Sequence, residues 1–171
     1  MGILCGTGLL VHRRNESTLT NCEAASKGRF AGKNIIITGG AGTFGANGAK
    51  YFLIEGANVA LIDVNKAALD EVVSKLKPGE SQKLRGYVCD IRDFGEVTKV
   101  VEEINSGFGG CDLLWNNAGI QGDMKPLLEY SSDDVKLVME INVVGAFNVS
   151  PEMCKVISHN AQYPYGTARR C

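Results

Sequence analysis

From Lys33 onward, short unbroken apolar runs alternate with longer stretches of helical periodicity. Asn34-Ile35-Ile36-Ile37-Thr38 and Asn58-Val59-Ala60-Leu61-Ile62-Asp63 have continuous apolar centres, the pattern of strands covered on both faces. The spacing predicts a helix from Thr43 to about Glu55, ended by Gly56, and a second from Lys66 to Leu76, terminated by Pro78-Gly79. Leu84 to Cys89 reads as a third strand. Asp93 with Glu96 has the spacing of a capping box and opens a helix running to about Ser106. Gly107, Gly109 and Gly110 break the chain before a fourth strand, Asp112 to Trp115. Ser131 with Asp134 gives a similar start signal, for a long helix from about Ser132 toward Ser158 that Pro151 should kink or interrupt.

Strands alternating with helices of this length make βαβ units and a parallel sheet, and right-handed crossovers place the helices on both faces. Residues 1–30 show no sustained periodicity and are rich in Gly, Ser, Thr and Asn, so they read as a disordered N-terminal extension. Residues 31–160 form the α/β domain, and residues 161–171, with Pro164 and Gly166, read as an irregular tail.

Composition narrows the class of function. A net charge of −1 gives no electrostatic case for nucleic acid or an anionic membrane, and no apolar run is long enough to span a bilayer. Cys5, Cys22, Cys89, Cys111, Cys154 and Cys171 form no Cys-x-x-Cys pair and have no His cluster nearby, so no metal site is expected and buried, reduced thiols are. His12 and His159 have no partners in sequence and read as surface residues. The opening Met1-Gly2 lacks the Ser or Thr that myristoylation needs where Gly6 stands. Arg13 and Arg14 leave organelle targeting open beside a cytoplasmic location.

Candidate chemistry begins between the first strand and the first helix. In Gly39-Gly40-Ala41-Gly42-Thr43-Phe44-Gly45, the residues Gly40, Gly42 and Gly45 fit G-x-G-x-x-G. Glycines there permit a tight turn and let the backbone approach a diphosphate at the helix N-terminus. Asp63 ends the second strand, where a carboxylate accepts hydrogen bonds from ribose hydroxyls and repels a 2′-phosphate. No Arg follows it directly, so NAD is favoured over NADP. Asp63 merely starting a polar turn is the alternative.

Together with the later motifs, these residues resemble the short-chain dehydrogenase/reductase family over about residues 30–150. The resemblance implies a Rossmann-type sheet that lacks its last strands and helices, and an NAD(P)-dependent oxidoreductase acting on an alcohol or ketone. It implies that Asp90-Ile91 contacts the adenine, that Asn116 ties the sheet together, and that Asn117-Ala118-Gly119 lines the cofactor. Asn142 is similar to a helix Asn that supports a catalytic water chain. Trp115 replaces the aliphatic residue common before that signature and reads as core or pocket wall. One position departs: the family's usual loop has glycines at the equivalents of Gly39, Thr43 and Gly45, whereas here Gly42 precedes Thr43, a spacing closer to the family's extended branch.

The family's reacting groups are a Tyr-x-x-x-Lys pair and a Ser, in which the ammonium lowers the phenol pKa. Four residues after Tyr51, Tyr87, Tyr130, Tyr163 and Tyr165 stand Glu55, Ile91, Asp134, Thr167 and Arg169, so no such pair is present. The expectation is a truncated member without turnover, association-prone, forming a homo-oligomer or pairing with a full-length homologue. A non-catalytic NAD-binding partner is the alternative. A methyltransferase with a similar sheet would leave Asn116 to Gly119 and Asn142 unexplained.

Overall fold

The computed structural model describes residues 28–156. Four parallel strands, β1 (Asn34–Thr38), β2 (Asn58–Asp63), β3 (Leu84–Val88) and β4 (Leu113–Trp115), lie in the order β3-β2-β1-β4. The register sets Asn34 opposite Asn58, Ile37 opposite Trp115 and Asp63 opposite Val88, which aligns the C-terminal ends of all four strands. The sheet is of the Rossmann type: the chain runs from β1 outward through β2 to β3, then crosses back to place β4 on the other side of β1.

Among the described residues there are five α-helices, α1 (Thr43–Ile54), α2 (Lys66–Lys75), α3 (Phe94–Phe108), α4 (Ser132–Met139) and α5 (Ala146–Val156), of which α4 buries no residue and the other four pack on the sheet. Successive side chains of a strand point to opposite faces, and the core divides accordingly. Ile35, Ile37, Val59 and Leu61 meet Ala49, Leu53 and Leu69 of α1 and α2. Ile36, Ala60, Ile62 and Tyr87 meet Val97, Val101, Ile104, Val149 and Met153 of α3 and α5. The three isoleucines of β1 are wholly buried, and each such side chain contributes about 1.5–3 kcal/mol. Trp115 belongs to the first of these layers, edge-on to Phe52 with ring centroids 6.1 Å apart, and so is core rather than pocket wall.

Local signals place most helix ends. The Asn65 side chain accepts from Ala68 N at the start of α2, and Ser131 and Asp134 form the reciprocal box that starts α4. At α3 the expected box is not formed. Asp93 accepts from the amides of Gly95 and Glu96, but the Glu96 carboxylate reaches past it to Asp90 N at 2.9 Å. Helix α3 runs through Gly107 and stops at Gly109, whose φ of 81° ends it. β4 begins one residue after Asp112, because the Asp112 carboxylate is taken by Asn34 N and Lys33 Nζ.

The long helix expected from Ser132 is divided. A π-helical turn, Glu140–Gly145, separates α4 from α5, and Pro151 lies within α5 without ending it. The irregularity falls where the Asn142 side chain leaves the helix to bind Ile120, rather than at the proline. The packed body starts earlier than residue 31: Arg29 is paired with buried Glu55, and Phe30 stacks edge-on against Phe52. The remaining extension, the tail at 161–171, His12, His159, Tyr163, Tyr165, Cys5, Cys22 and Cys171 lie outside the described residues. Among the described residues no helix is long and apolar enough to cross a membrane.

Candidate functional site

The C-terminal ends of the strands converge on a single groove, and the residue that organises it is Thr38, at the end of β1. Its hydroxyl is fully buried, accepts from Asn117 N at 2.9 Å and Ala118 N at 3.0 Å, and donates to Asn116 Oδ1 at 2.9 Å. Asn116 then donates to Ala146 O at 2.8 Å, so one amide joins β1, β4 and α5. Asn117 is held below the loop by bonds to Thr38 O and Gly39 O at 3.1 and 3.4 Å. A threonine ending a strand carries no sequence signal for this role, because it depends on β4 lying beside β1.

The glycine loop is closed against itself. Gly39 has φ of +66°, and Gly40 N donates to Ile62 O. A Cβ on Gly45 would stand 2.2 Å from Gly39 O, so this position admits no side chain. Gly42 is the N-cap of α1 and supplies no side-chain cap. The amides of the first helical turn have no partner within the helix and carry the positive end of its dipole. Thr43, which departs from the usual glycine, is exposed at that mouth, so its side chain is accommodated without a clash. Phe44 beside it is 77% exposed.

Asp63 spans the gap between this loop and β2. One carboxylate oxygen accepts from Ala41 N and the other from Asn65 N, both at 2.9 Å. Each oxygen keeps a further lone pair, so the group can brace the loop and still accept a ligand hydroxyl. A diphosphate at the mouth of α1 with its sugar on Asp63 fits these donors and acceptors. Gly39, Asp63, Asp90, Ile91, Ala118 and Gly119 line one groove of about 300 Å³. Gly40, Ala41, Gly42, Thr43, Phe44, Gly45 and Asn117 are not in its lining; Gly42, Thr43 and Phe44 are exposed at the start of α1, and Gly40 and Gly45 are buried.

Two walls of the groove carry contacts that sequence reasoning missed. Arg92 binds the Asp90 carboxylate through Nε at 2.9 Å, and this bonding holds the carboxyl below its ordinary range. Asn148 of α5 donates to Ile91 O and Arg92 O at 3.0 and 3.1 Å, fixing the same turn from behind. On the other wall the Asn142 amide makes a two-bond pair with Ile120, Oδ1 accepting from its N–H and Nδ2 donating to its carbonyl, each at 2.8 Å. Cys89 also faces the groove, but burial pushes its thiol up to about 12, and buried Cys111 is likewise raised to about 12. Neither is ionised near neutrality. Among the described residues no three His, Cys, Asp or Glu side chains stand together as metal ligands.

Comparison with known proteins agrees with this geometry. Residues 33–162 match the short chain dehydrogenase family. Short chain aldehyde dehydrogenase 1 of Euphorbia lathyris is 36% identical over 132 residues, covering 75% of this chain and 44% of the relative. The crystal structure of NAD+-bound xylitol dehydrogenase is 36% identical with a TM-score of 0.71, over 75% of this chain and 49% of that one. Levodione reductase is 29% identical with a TM-score of 0.70, over 75% and 50%. The chain thus spans about half the length of such relatives. It belongs to the short-chain dehydrogenase/reductase family of NAD(P)-using oxidoreductases.

Proposed function

We propose that the groove binds NAD and that the chain is the nucleotide-binding part of an oxidoreductase acting on an alcohol or ketone. The observation that carries this reading is Asp63 at the end of β2, braced by Ala41 N beside the uncapped start of α1. The first-turn amides from Thr43 to Gly45 would hold the diphosphate, and Asp63 the adenosine ribose. Asp90 and Ile91 would flank the adenine, and Asn117 to Gly119 would border the nicotinamide half. Asn142 holds Ile120 there, as the supporting polar residue of the wall. When bound, NAD supplies the hydride acceptor.

The preference for NAD over NADP rests on charge. Arg92, the cation lining the groove, is committed to Asp90, and Lys66 to Asp70 at 2.6 Å. Neither is available for a 2′-phosphate, which Asp63 would repel. The alcohol or ketone class is supported by the xylitol and levodione named for two similar structures. Without a Tyr-x-x-x-Lys pair the 171-residue chain should bind NAD without turnover. A second reading is a non-catalytic NAD-binding or regulatory partner of a full-length homologue. A cytoplasmic setting belongs to the proposal, and so does the lack of nucleic-acid or anionic-membrane partners, which the net charge of −1 supports.

Calorimetry on the full chain tests it. NAD should bind more tightly than NADP. Asp63→Asn, which retains an acceptor for Ala41 N, should weaken NAD roughly tenfold and narrow the difference between the two. Folded protein that binds neither nucleotide at millimolar concentration would overturn the reading. Copurification of a longer homologue with a chain that binds NAD but does not turn over would select the second reading.

A further inference from the structure

At the edge of the sheet opposite β4, the face of β3 turned toward α3 borders, with α3 from Lys99 to Gly107, an open depression of about 790 Å³. None of its lining residues lines the groove at the strands' C-terminal ends. Arg85 and Tyr87 are two apart on β3 and so face the same side. Helix α3 brings Lys99, Glu102, Glu103 and Gly107 against them.

Tyr87 is 9% exposed, and its hydroxyl is the one buried side-chain polar atom among the described residues without a hydrogen-bond partner. A buried hydroxyl left unpaired is costly, so such an atom calls for an explanation. Its surroundings supply one. A Cβ on Gly107 would stand 3.5 Å from Tyr87 Oη and 3.2 Å from Arg85 Nη1. The Tyr87 hydroxyl and an Arg85 N–H therefore both lie within reach of the position that a side chain at residue 107 would occupy. Among the described residues the Arg85 and Lys99 side chains make no hydrogen bond or ion pair, so both cations are uncommitted.

We propose that this depression binds a small oxyanion, a phosphate or carboxylate group, with one oxygen over Gly107 accepting from Arg85 and Tyr87. Charge-assisted bonds of this kind are the strong ones, and Lys99 adds a second positive charge at the rim. Glu102 and Glu103 balance the two cations of the lining. That balance selects a compact ligand of low charge and disfavours extended polyanions. The site is separate from the nucleotide groove and does not depend on NAD.

The test follows backbone amide resonances of the full chain during titration with inorganic phosphate and, separately, sodium acetate, with sodium chloride at matched ionic strength as control. Saturable shifts at Arg85, Tyr87 and Gly107 are expected, together with a raised melting temperature. Gly107→Ala places a methyl at residue 107 while favouring the helix, so it should keep the fold and lose the response. Tyr87→Phe keeps the ring in the core and should weaken binding roughly tenfold. The anion that binds more tightly identifies the group. Absence of saturable shifts with both anions in the unaltered chain, or shifts undiminished in Gly107→Ala, would overturn the proposal.

Discussion

β1 and β4 are neighbours in one sheet, yet they belong to regions built in different ways. The unit β1–α1–β2 is contiguous and sealed: Ile35, Ile36 and Ile37 are wholly buried, and α1 gives Gly45, Gly48, Ala49 and Leu53 to the core. In the second region β4 is only partly buried, α4 buries no residue, and Val143, Val144 and Phe147 stand open to solvent. That region is instead stitched by side chains: Asn116 to Ala146 and Asn142 to Ile120 across long sequence separations, and Lys125 to Asp134 nine residues away. The proposed grip on the diphosphate and ribose is thus a local property of one βαβ unit. The wall around Ile120 is held by a few side-chain hydrogen bonds. Damage to the first should be global, and damage to the second should stay local.

The sharpest way to break the first region is Gly45→Ala. Its Cβ would meet Gly39 O at 2.2 Å and Gly40 Cα at 2.8 Å, both backbone, so no side-chain rotation relieves the clash. We expect a loss of about 3 kcal/mol in denaturant unfolding and loss of nucleotide binding by calorimetry. Gly42→Ala meets only Gly39 O, at 3.3 Å, and should cost less than about 1 kcal/mol. If the two variants behave alike, the loop is not as tightly closed as described.

Thr38→Val tests the seam between the regions. Valine keeps the shape but removes one hydroxyl that accepts two amide bonds and donates a third. The buried amides of Asn117 and Ala118 would lose their acceptor, at a cost of about 2 kcal/mol. Thr38→Ser should restore most of it. Hydrogen exchange should speed up at Asn117 and Ala118 before it does in β1, and equal acceleration in both would contradict a local seam.

Strands buried on both faces announce themselves as apolar runs, which is why the sheet and the glycine turn were legible before any coordinates. What stayed hidden depends on competition between partners. Asp93-Glu96 and Ser131-Asp134 have the same spacing, yet only the second closes a box, because the Glu96 side chain reaches Asp90 N instead. Thr38, Asn148 and Asn142 acquire their roles only when β4, the Ile91 turn and the Ile120 loop come within reach, through contacts 56–80 residues apart for Thr38 and Asn148. Pro151 was misleading in the opposite sense. Its local rule favours a break there, but the break was placed upstream, where Asn142 engages Ile120.

The smallest expected effect sharpens the contrast by pH. Asp134 Oδ2 accepts from Lys125 Nζ at 2.7 Å, from Ser131 N at 2.7 Å and from Ser131 Oγ at 2.8 Å, and with Lys125 as the largest influence its pKa falls from 3.8 to about 2. A carboxyl whose folded pKa is depressed adds stability that is complete above its unfolded value and fades as pH falls toward the folded one. The contribution should therefore be full above 3.8 and be lost on acidification toward about 2. Because the group is solvent-exposed, the loss should be confined to the start of α4 and the loop it tethers through Lys125. Hydrogen exchange across that acid range should show protection falling at Val135 and Lys136 while the β1 amides hold. Asp134→Asn should weaken that protection already at neutral pH and abolish the acid step. Simultaneous loss in β1 and α4 would mean that the two regions unfold as one unit and that side-chain hydrogen bonds do not hold the second on their own.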